Sequence, residues 1–283
     1  MNLLEGLRVV TIALNLPGPA ACARLRDLGA TVTKVEPPSG DPFEQYCPGW
    51  YRRLHQGMAI ERIDLKSVME RSRLRDLLDN ADLLVTAQRP SALLRLGLSH
   101  DMLAARHKRL CHVAITGHPP PGEELPGHDL TYLALHGLLS PPAMPATLYA
   151  DMAGAERAVS TALALVIARD RTGRGVHAQV PLEDGARALA QPLREGLTGP
   201  GALLGGGLAG YNVYATRTGW IAVAALEPHF AQGLTAALGL EKLETAKLRE
   251  RFLSDSAESW ETWARERDLP LVALRNPANE SAP

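Results

Sequence analysis

Apolar segments alternate with helix-like segments through the first 116 residues, and this alternation restricts the fold more than any other feature. The run "LRVVTIAL" (7–14) is continuously apolar, which is typical of a strand covered on both faces. The spacing in "AACARLRDLGA" (20–30) predicts a helix, and "TVTKVEPP" (31–38) predicts the next strand. Two more such units end in "ADLLVTA" (81–87) and "LCHVAIT" (110–116). The pattern therefore predicts an α/β fold with a Rossmann-like parallel sheet, whose ligands gather at the strand C-termini.

The second half of the sequence indicates a different organisation. A long helix is predicted over "AERAVSTALALVIARD" (155–170), followed by a strand in "VHAQVPL" (176–182). The Gly-rich stretch "LTGPGALLGGG" (197–207) precedes a change in composition, and "YNVYATRTGWIAVAAL" (211–226) predicts a hairpin that turns at Thr218-Gly219. Helices are expected after the hairpin, the last one including "ESWETWARERD" (258–268).

We therefore expect two domains. Residues 1–195 form a large α/β domain, and residues 196–283 form a smaller α+β domain that ends in a frayed tail, "NPANESAP".

Composition excludes several classes of protein. With 283 residues, 46% of them hydrophobic, the chain can bury one large core or two moderate cores. A net charge of -1 gives no reason to expect binding to nucleic acid or to an anionic membrane. No apolar run approaches the roughly 20 residues of a membrane span, and the first residues do not resemble a signal peptide. The three cysteines have no metal-ligand spacing, so we expect a cytoplasmic protein without a metal site.

Acidic residues stand at two predicted helix starts. In "GHDLTYLALHG" (127–137) His128 and Asp129 precede an apolar helix, and in "LYADMAGAERA" Asp151 precedes another. Both aspartates are plausible helix caps, and Glu227 before Pro228 is either a loop residue or a cap. A histidine beside a carboxylate is also suited to proton transfer near neutral pH. Spacing alone leaves capping and acid–base chemistry open at these positions.

Five segments, in order, carry a resemblance to a known family. The sequence resembles the class III CoA-transferase superfamily (CaiB/BaiF type) over roughly residues 1–240. Within that superfamily, "GHDLTY", "YADMAG" and "ALEPHF" are most similar to the α-methylacyl-CoA racemase branch. The segments are "PGPAACARLRDLGATVTKVEPPSGDP", "ADLLVTAQRPSALLRLGLS", "ITGHPPPGEELPGHDLTYLALHG", "RTGRG" and "AALEPHF".

The resemblance implies an enzyme that epimerises 2-methylacyl-CoA thioesters through an enolate. His128 and Asp151 are then the acid/base pair on opposite faces of the substrate, and Glu227 supports or orients that pair. The backbone N–H of Asp129 faces the thioester oxygen. This reaction needs no metal or redox cofactor, because coenzyme A enters as part of the substrate.

The resemblance also implies a set of CoA contacts. Lys34 and Arg89 correspond to positions near the nucleotide end, where their charges would face phosphate, and Gly57 and Tyr132 fall near other CoA contacts. The Gly-rich stretch would cover the acyl pocket, although a plain linker is an equal alternative. A homodimer is expected, because sites in this family are completed by a second chain.

Two other functions stay open. In a class III CoA-transferase, Asp129 would attack the donor thioester as a nucleophile, and His128 argues against that reading because transferases often have tyrosine there. Members of the family usually run longer, with a C-terminal stretch that returns to the first domain. A shortened homologue that binds acyl-CoA without turnover is therefore the third alternative.

Overall fold

The computed structural model describes residues 2–275, which divide into one unit up to Ala190 and a second from Gln191 onward. We expected the boundary between residues 195 and 196. The predicted tail "NPANESAP" lies outside the described residues. No helix of the described part is both long and apolar enough to cross a membrane.

A six-stranded sheet organises the first unit, and all of its strands pair in parallel in the order β3-β2-β1-β4-β5-β6. The α/β prediction is confirmed. Only β3 lacks a sequence signal, because three of its four residues are exposed at the sheet edge and do not form an apolar run. The strands are β1 (Arg8–Thr11), β2 (Thr31–Glu36), β3 (Ala59–Arg62), β4 (Leu83–Thr86), β5 (Cys111–Thr116) and β6 (His177–Pro181).

Nine helices of this unit connect the strands or follow them, within the described residues. They are α1 (Pro17–Asp27), α2 (Pro42–Tyr46), α3 (Pro48–His55), α4 (Arg71–Asp79), α5 (Pro90–Leu96), α6 (His100–Arg106), α7 (Asp129–Leu135), α8 (Tyr149–Thr172) and α9 (Leu182–Leu189). The helix predicted over 155–170 is part of α8, which begins earlier than its apolar spacing indicates.

Side chains from the two faces of the sheet enter separate apolar clusters. Val9 and Leu83 pack in a cluster with α1 and α8, whereas their neighbours Val10 and Leu84 pack in a second cluster that includes Leu74 of α4. Successive strand residues point to opposite faces, so a strand covered on both sides must be apolar throughout. This requirement explains the continuous apolar runs of the sequence.

An antiparallel three-stranded sheet organises the second unit. Strands β7 (Tyr211–Ala215) and β8 (Trp220–Ala224) form the predicted hairpin, with Thr218 and Gly219 in its connection. Strand β9 (Leu271–Ala273) pairs with β8 and was not predicted. The Gly-rich stretch contains an irregular turn over Leu203–Gly207, in which Gly205 and Gly206 depart from helical dihedral angles. The remaining helices are α10 (Gln191–Arg194), α11 (Pro228–Ala237), α12 (Thr245–Phe252) and α13 (Ala257–Arg265).

Candidate active site

A cavity of about 580 Å³ opens at the carboxyl edge of the parallel sheet. Its walls come from the segments that follow β1, β4 and β5, together with the starts of α7 and α8. Ligands of open α/β sheets bind at this edge, because the loops after parallel strands converge there. Four residues assigned from the resemblance line this one cavity: Arg89, His128, Tyr132 and Asp151.

His128 stands immediately before α7 in an extended conformation. Its backbone is fixed by Thr131, whose hydroxyl accepts a hydrogen bond from the His128 N–H at 3.0 Å and donates one to the His128 carbonyl at 2.7 Å. The residue is exposed and lines the cavity. The local backbone thus holds an accessible imidazole at the cavity wall.

Asp151 is the third residue of α8 and lines the same cavity. Burial raises the pKa of its carboxyl to about 7, and the negative charge of Asp129 adds to the shift. A carboxyl group with this pKa is present in both protonation states near neutral pH. Asp151 can therefore serve either as the acid or as the base of a proton transfer.

Asp129 is buried, with 4% of its surface exposed, and its carboxylate is already engaged. Its Oδ1 accepts hydrogen bonds from the backbone N–H groups of Ala150 at 2.6 Å and of Asp151 at 3.0 Å. The side chain caps α8 rather than its own helix α7, whose N-cap position is His128. The capping alternative for Asp151 is wrong, since that residue lies inside α8 and the N-cap position is Leu148.

Tyr132 is the most enclosed of the cavity residues named above, with 1% of its surface exposed. Two glycines make room for its ring. A Cβ atom on Gly127 would lie 2.5 Å from the ring, and one on Gly117 would collide with its hydroxyl. The glycine of "GHDLTY" is therefore required by packing.

A partly buried network around the carboxylate of Glu183 lies beside this tyrosine and was not foreseen from the sequence. Glu183 of α9 bonds His118 at 2.6 Å and lies 3.4 Å from His136, while the His118 ring packs edge-on against Tyr132. These residues support the cavity wall through Tyr132. Three separated segments of the chain supply them, so no local pattern indicates the network.

Arg89 and Gly57 differ in their relation to the cavity. Arg89 is exposed at the start of α5 and lines the cavity, as a phosphate contact requires. Gly57 follows α3 with a φ of 79°, exposed, and is not among the lining residues of the described part. Glu227 is exposed in the second unit at the N-cap of α11, and its relation to the proton-transfer pair stays a prediction.

Lys34 requires a correction. The sequence-based prediction places its charge against phosphate, but its side chain is fully buried, with 0% exposed. The ammonium contacts Asp41 at 2.5 Å, His55 at 2.8 Å and Glu36 at 3.0 Å. Two of these contacts are hydrogen bonds and the third is an ion pair, so the ammonium is surrounded by its own partners. Its complete burial leaves it inaccessible to a phosphate.

The same acceptors also have the chemistry of metal ligands. Glu36, Asp41 and His55 each offer an atom within 4.8 Å of the others, which is close enough to hold a metal ion. The Lys34 ammonium already lies among these atoms and supplies the positive charge that a cation would bring. This cluster is therefore an internal ion-pair network.

Comparison with known proteins identifies the family. Residues 4–279 match CoA-transferase family III. The chain belongs to this family. Its resemblance to the CaiB/BaiF type, given above from five segments, is confirmed.

Relatives in the family include both racemases and transferases. The human α-methylacyl-CoA racemase is 32% identical over a match that covers 85% of this chain and 66% of the racemase. A CaiB/BaiF CoA-transferase family protein of Caenorhabditis elegans is 28% identical and is covered over 81% of its length. The acetyl-CoA:oxalate CoA-transferase of Acetobacter aceti is 28% identical, with 66% of this chain and 52% of the transferase covered. The chain thus spans two thirds or less of the named racemase and transferase.

Solved structures share the fold. A CaiB/BaiF family protein from Brucella suis superposes with a TM-score of 0.82 at 23% identity, covering 98% of this chain and 85% of the other. A hypothetical protein from Mycobacterium tuberculosis gives a TM-score of 0.83 at 24% identity, with 98% and 84% covered.

Proposed function

We propose that this protein is an acyl-CoA racemase that inverts 2-methylacyl-CoA thioesters by 1,1-proton transfer. One observation carries the proposal: His128 and Asp151 line the same cavity, and burial raises the pKa of Asp151 to about 7. A reversible racemase needs two groups that each give and take a proton near neutral pH. A histidine together with an aspartate whose pKa is raised to about 7 meets that requirement.

The chemistry follows from these two groups. One group takes the α-proton from the substrate, the C–H electron pair passes into the thioester carbonyl, and an enolate forms. The other group then donates its proton to the opposite face of the α-carbon, and the electron pair returns to restore the thioester. In the reverse direction the two groups exchange roles. Each well-placed acid or base contributes roughly 10² to 10⁴ in rate.

The enolate oxygen requires a hydrogen-bond donor. Asp129 is the first residue of α7, so its backbone N–H has no acceptor inside the helix. We propose this N–H as the donor. The carboxylate of Asp129 fixes the start of α8 at the same time, which holds Asp151 relative to α7. Glu227 is proposed to orient the pair.

Binding of the CoA portion is proposed to use Arg89 for phosphate and the apolar wall for the rest. Leu14, Leu16, Pro17 and Phe43 line the cavity and offer apolar surface to the thioester. Tyr132 and Gly57 are proposed as further contacts. Coenzyme A is part of the substrate, and the mechanism invokes no other cofactor.

The transferase alternative depends on Asp129 as a nucleophile. This alternative is kept because the relatives of the chain include an acetyl-CoA:oxalate CoA-transferase. In this chain the Asp129 carboxylate is 4% exposed and accepts two hydrogen bonds from the start of α8. Attack on a thioester would require it to leave those donors, which are then left unpaired at a cost of about 1–3 kcal/mol each. This geometry favours the racemase.

Three assays on the intact chain separate the alternatives. In D₂O, the racemase predicts deuterium uptake at the α-carbon of a 2-methylacyl-CoA, abolished by His128→Ala. The matched control is His100→Ala at the start of α6, which should keep the uptake. Transfer of CoA to an added carboxylate, abolished by Asp129→Ala and without α-exchange, would identify a transferase. Thioester binding without either reaction would identify the non-catalytic homologue.

A homodimer in the cytoplasm is proposed on the family resemblance. Sedimentation of the purified chain at micromolar concentration tests the dimer: a mass twice that of one chain supports it, and a single-chain mass across the concentration range contradicts it. Fractionation of cells of the source organism tests the location.

A further inference from the structure

We propose that Lys34 is a positioning residue, which holds Asp41 and thereby fixes the cavity wall that receives the thioester. It rests on the proposed function only for the choice of ligand. The proposal replaces a phosphate contact with an indirect role, and the two roles make different predictions for binding.

Three buried side chains hold the ammonium of Lys34 in place. Lys34 hydrogen-bonds Asp41 and His55 and forms an ion pair with Glu36, and all three partners are at most 5% exposed. The Nδ1 atom of His55 donates to the carbonyl of Tyr51 at 2.7 Å, so its Nε2 is the free acceptor that faces Lys34. The Tyr51 hydroxyl donates to Glu36 at 2.7 Å. Each charged group of this cluster thus has a fixed partner, and the Oε2 atom of Glu36 is the one carboxylate oxygen among them without a hydrogen bond.

Asp41 connects this cluster to the cavity wall through hydrogen bonds to backbone N–H groups. Both carboxylate oxygens of Asp41 accept from the backbone N–H of Asn15, at 3.0 and 3.2 Å. One of them also accepts from the N–H of Phe43 at 2.9 Å, which caps helix α2. Asn15 has a φ of 65°, in the left-handed region that asparagine adopts more readily than most non-glycine residues. Asp41 therefore anchors this turn through the backbone N–H of Asn15.

The residues that Asp41 holds are part of the cavity wall. Asn15 and Phe43 both line the cavity, and so do their neighbours Leu16, Pro17 and Pro42. One carboxylate thus joins two wall segments, the turn after β1 and the start of α2. The turn after β1 has no charged residue, and the one charged residue of α2, Glu44, is exposed.

Removing the ammonium would take the positive charge out of this cluster. Glu36 and Asp41 would remain as two buried carboxylates without a cation between them. Like charges in a buried site repel strongly, and an unpaired buried charge is costly. Asp41 would move or become protonated, and in both cases it would hold Asn15 and Phe43 less firmly. Misplacement by about 1 Å can cost up to 10²-fold in reaction rate, and a displaced wall should also bind the thioester less tightly.

The test compares two ligands that differ only in the nucleotide. Isobutyryl-CoA carries the phosphates and adenosine, whereas isobutyryl-pantetheine lacks them but keeps the thioester and the apolar arm. Calorimetry of both ligands against wild type and Lys34→Met gives four dissociation constants. A positioning role predicts that the substitution weakens both ligands by the same factor, on the order of tenfold. A phosphate contact predicts weakening of isobutyryl-CoA alone, and this would overturn the proposal.

Arg89→Gln is the matched control. Arg89 is an exposed lining residue, and its loss should weaken isobutyryl-CoA while leaving isobutyryl-pantetheine unchanged. Lys34→Arg separates the roles again and keeps the charge. Guanidinium binds phosphate at least as well as ammonium, so a phosphate contact would survive this change. The fork does not fit three acceptors arranged around one nitrogen, so positioning predicts equal weakening of both ligands.

Amide hydrogen exchange tests the same link without a ligand. In Lys34→Met, or in Lys34→Arg if the methionine variant does not fold, the amides of Asn15 and Phe43 should lose protection. The amides of β8 in the second unit should keep theirs. Retained protection at Asn15 and Phe43 would overturn the proposal. Failure of the racemase proposal would give a different result. The wild-type protein would then show no α-proton exchange, while it would still bind the thioester and substitution of Lys34 would still weaken that binding.

Discussion

The carboxylate of Asp129 lies against the backbone N–H of Asp151, with an Oδ1-to-N distance of 3.0 Å. Through this contact one aspartate caps the helix that carries the other, and its charge also contributes to the raised pKa of Asp151. Asp129 therefore affects both the stability of α8 and the pKa of Asp151. Changes at Asp129 should separate the two effects.

Asp129→Asn should keep the cap and remove the charge. The pKa of Asp151 should then fall below about 7, since its second cause is lost while burial remains. The limb of the pH–rate profile that reports ionised Asp151 should move to lower pH. Asp129→Ala should in addition destabilise the protein by roughly 2 kcal/mol or more, because two N–H groups at the start of α8 lose their acceptor. Chemical denaturation and pH–rate profiles of the two variants check this, and equal destabilisation by both would contradict it.

Asp151→Asn should stabilise the protein at pH 8. The pKa of Asp151 is raised from 3.8 to about 7 in the folded state, so folding becomes less favourable as pH rises through this window. Removing the carboxyl removes that penalty, which is at most a few kcal/mol above pH 7 and absent below pH 3.8. The variant should therefore gain thermal stability at pH 8, gain less at pH 5, and lose α-proton exchange.

Asp101→Asn is the control for this pH dependence. Asp101 is exposed in α6, and its replacement should leave the stability difference between pH 5 and pH 8 as in wild type. A stabilisation by Asp151→Asn that is equal at both pH values would mean that the carboxyl is not penalised by burial.

His112 should make the protein sensitive to acid. Burial lowers the pKa of this histidine to about 3, and His177 and His100 add to the shift. Its Nε2 bonds the hydroxyl of Thr86 at 2.9 Å, and its Nδ1 lies 3.1 Å from Nδ1 of His177. A depressed histidine pKa stabilises the fold above pH 6.5 and loses that contribution as pH falls toward 3.

His112 should contribute a slope of up to roughly 1.4 kcal/mol of unfolding free energy for each pH unit below pH 6.5, opposite in sign to the slope contributed by Asp151. Urea denaturation from pH 7 to pH 5 measures it. His112→Gln should flatten the slope even if it lowers stability at pH 7, whereas His229→Gln, at an exposed position of α11, should not change it. An unchanged slope in His112→Gln would contradict the assignment.

The fold was predictable where one local pattern decides the structure. The apolar runs that became β1, β4 and β5 are covered on both faces, so their burial is visible in the sequence. Strand β3 is exposed at an edge, and β9 has only three residues, so neither carries a pattern of sufficient length.

The site was predictable only in part, because several of its contacts join distant segments. The spacing before α8 suggested Asp151 as a cap, but the cap is Asp129, which is supplied by another helix. Lys34 was interpreted by its position at a strand end. A signal for its burial was present: Lys34 and Glu36 share one face of β2, a strand paired on both sides, where charged groups must find internal partners.

The most direct test of the proposed mechanism follows one enantiomer of a 2-methylacyl-CoA in D₂O. Inversion and deuterium content are measured together by chiral separation and mass spectrometry. The two-group mechanism predicts that the inverted product carries one solvent deuterium at the α-carbon, and that His128→Ala and Asp151→Asn each abolish inversion. Substrate that gains deuterium without inversion, or inversion that persists in either variant, would contradict the assignment of these residues as the proton-transfer pair.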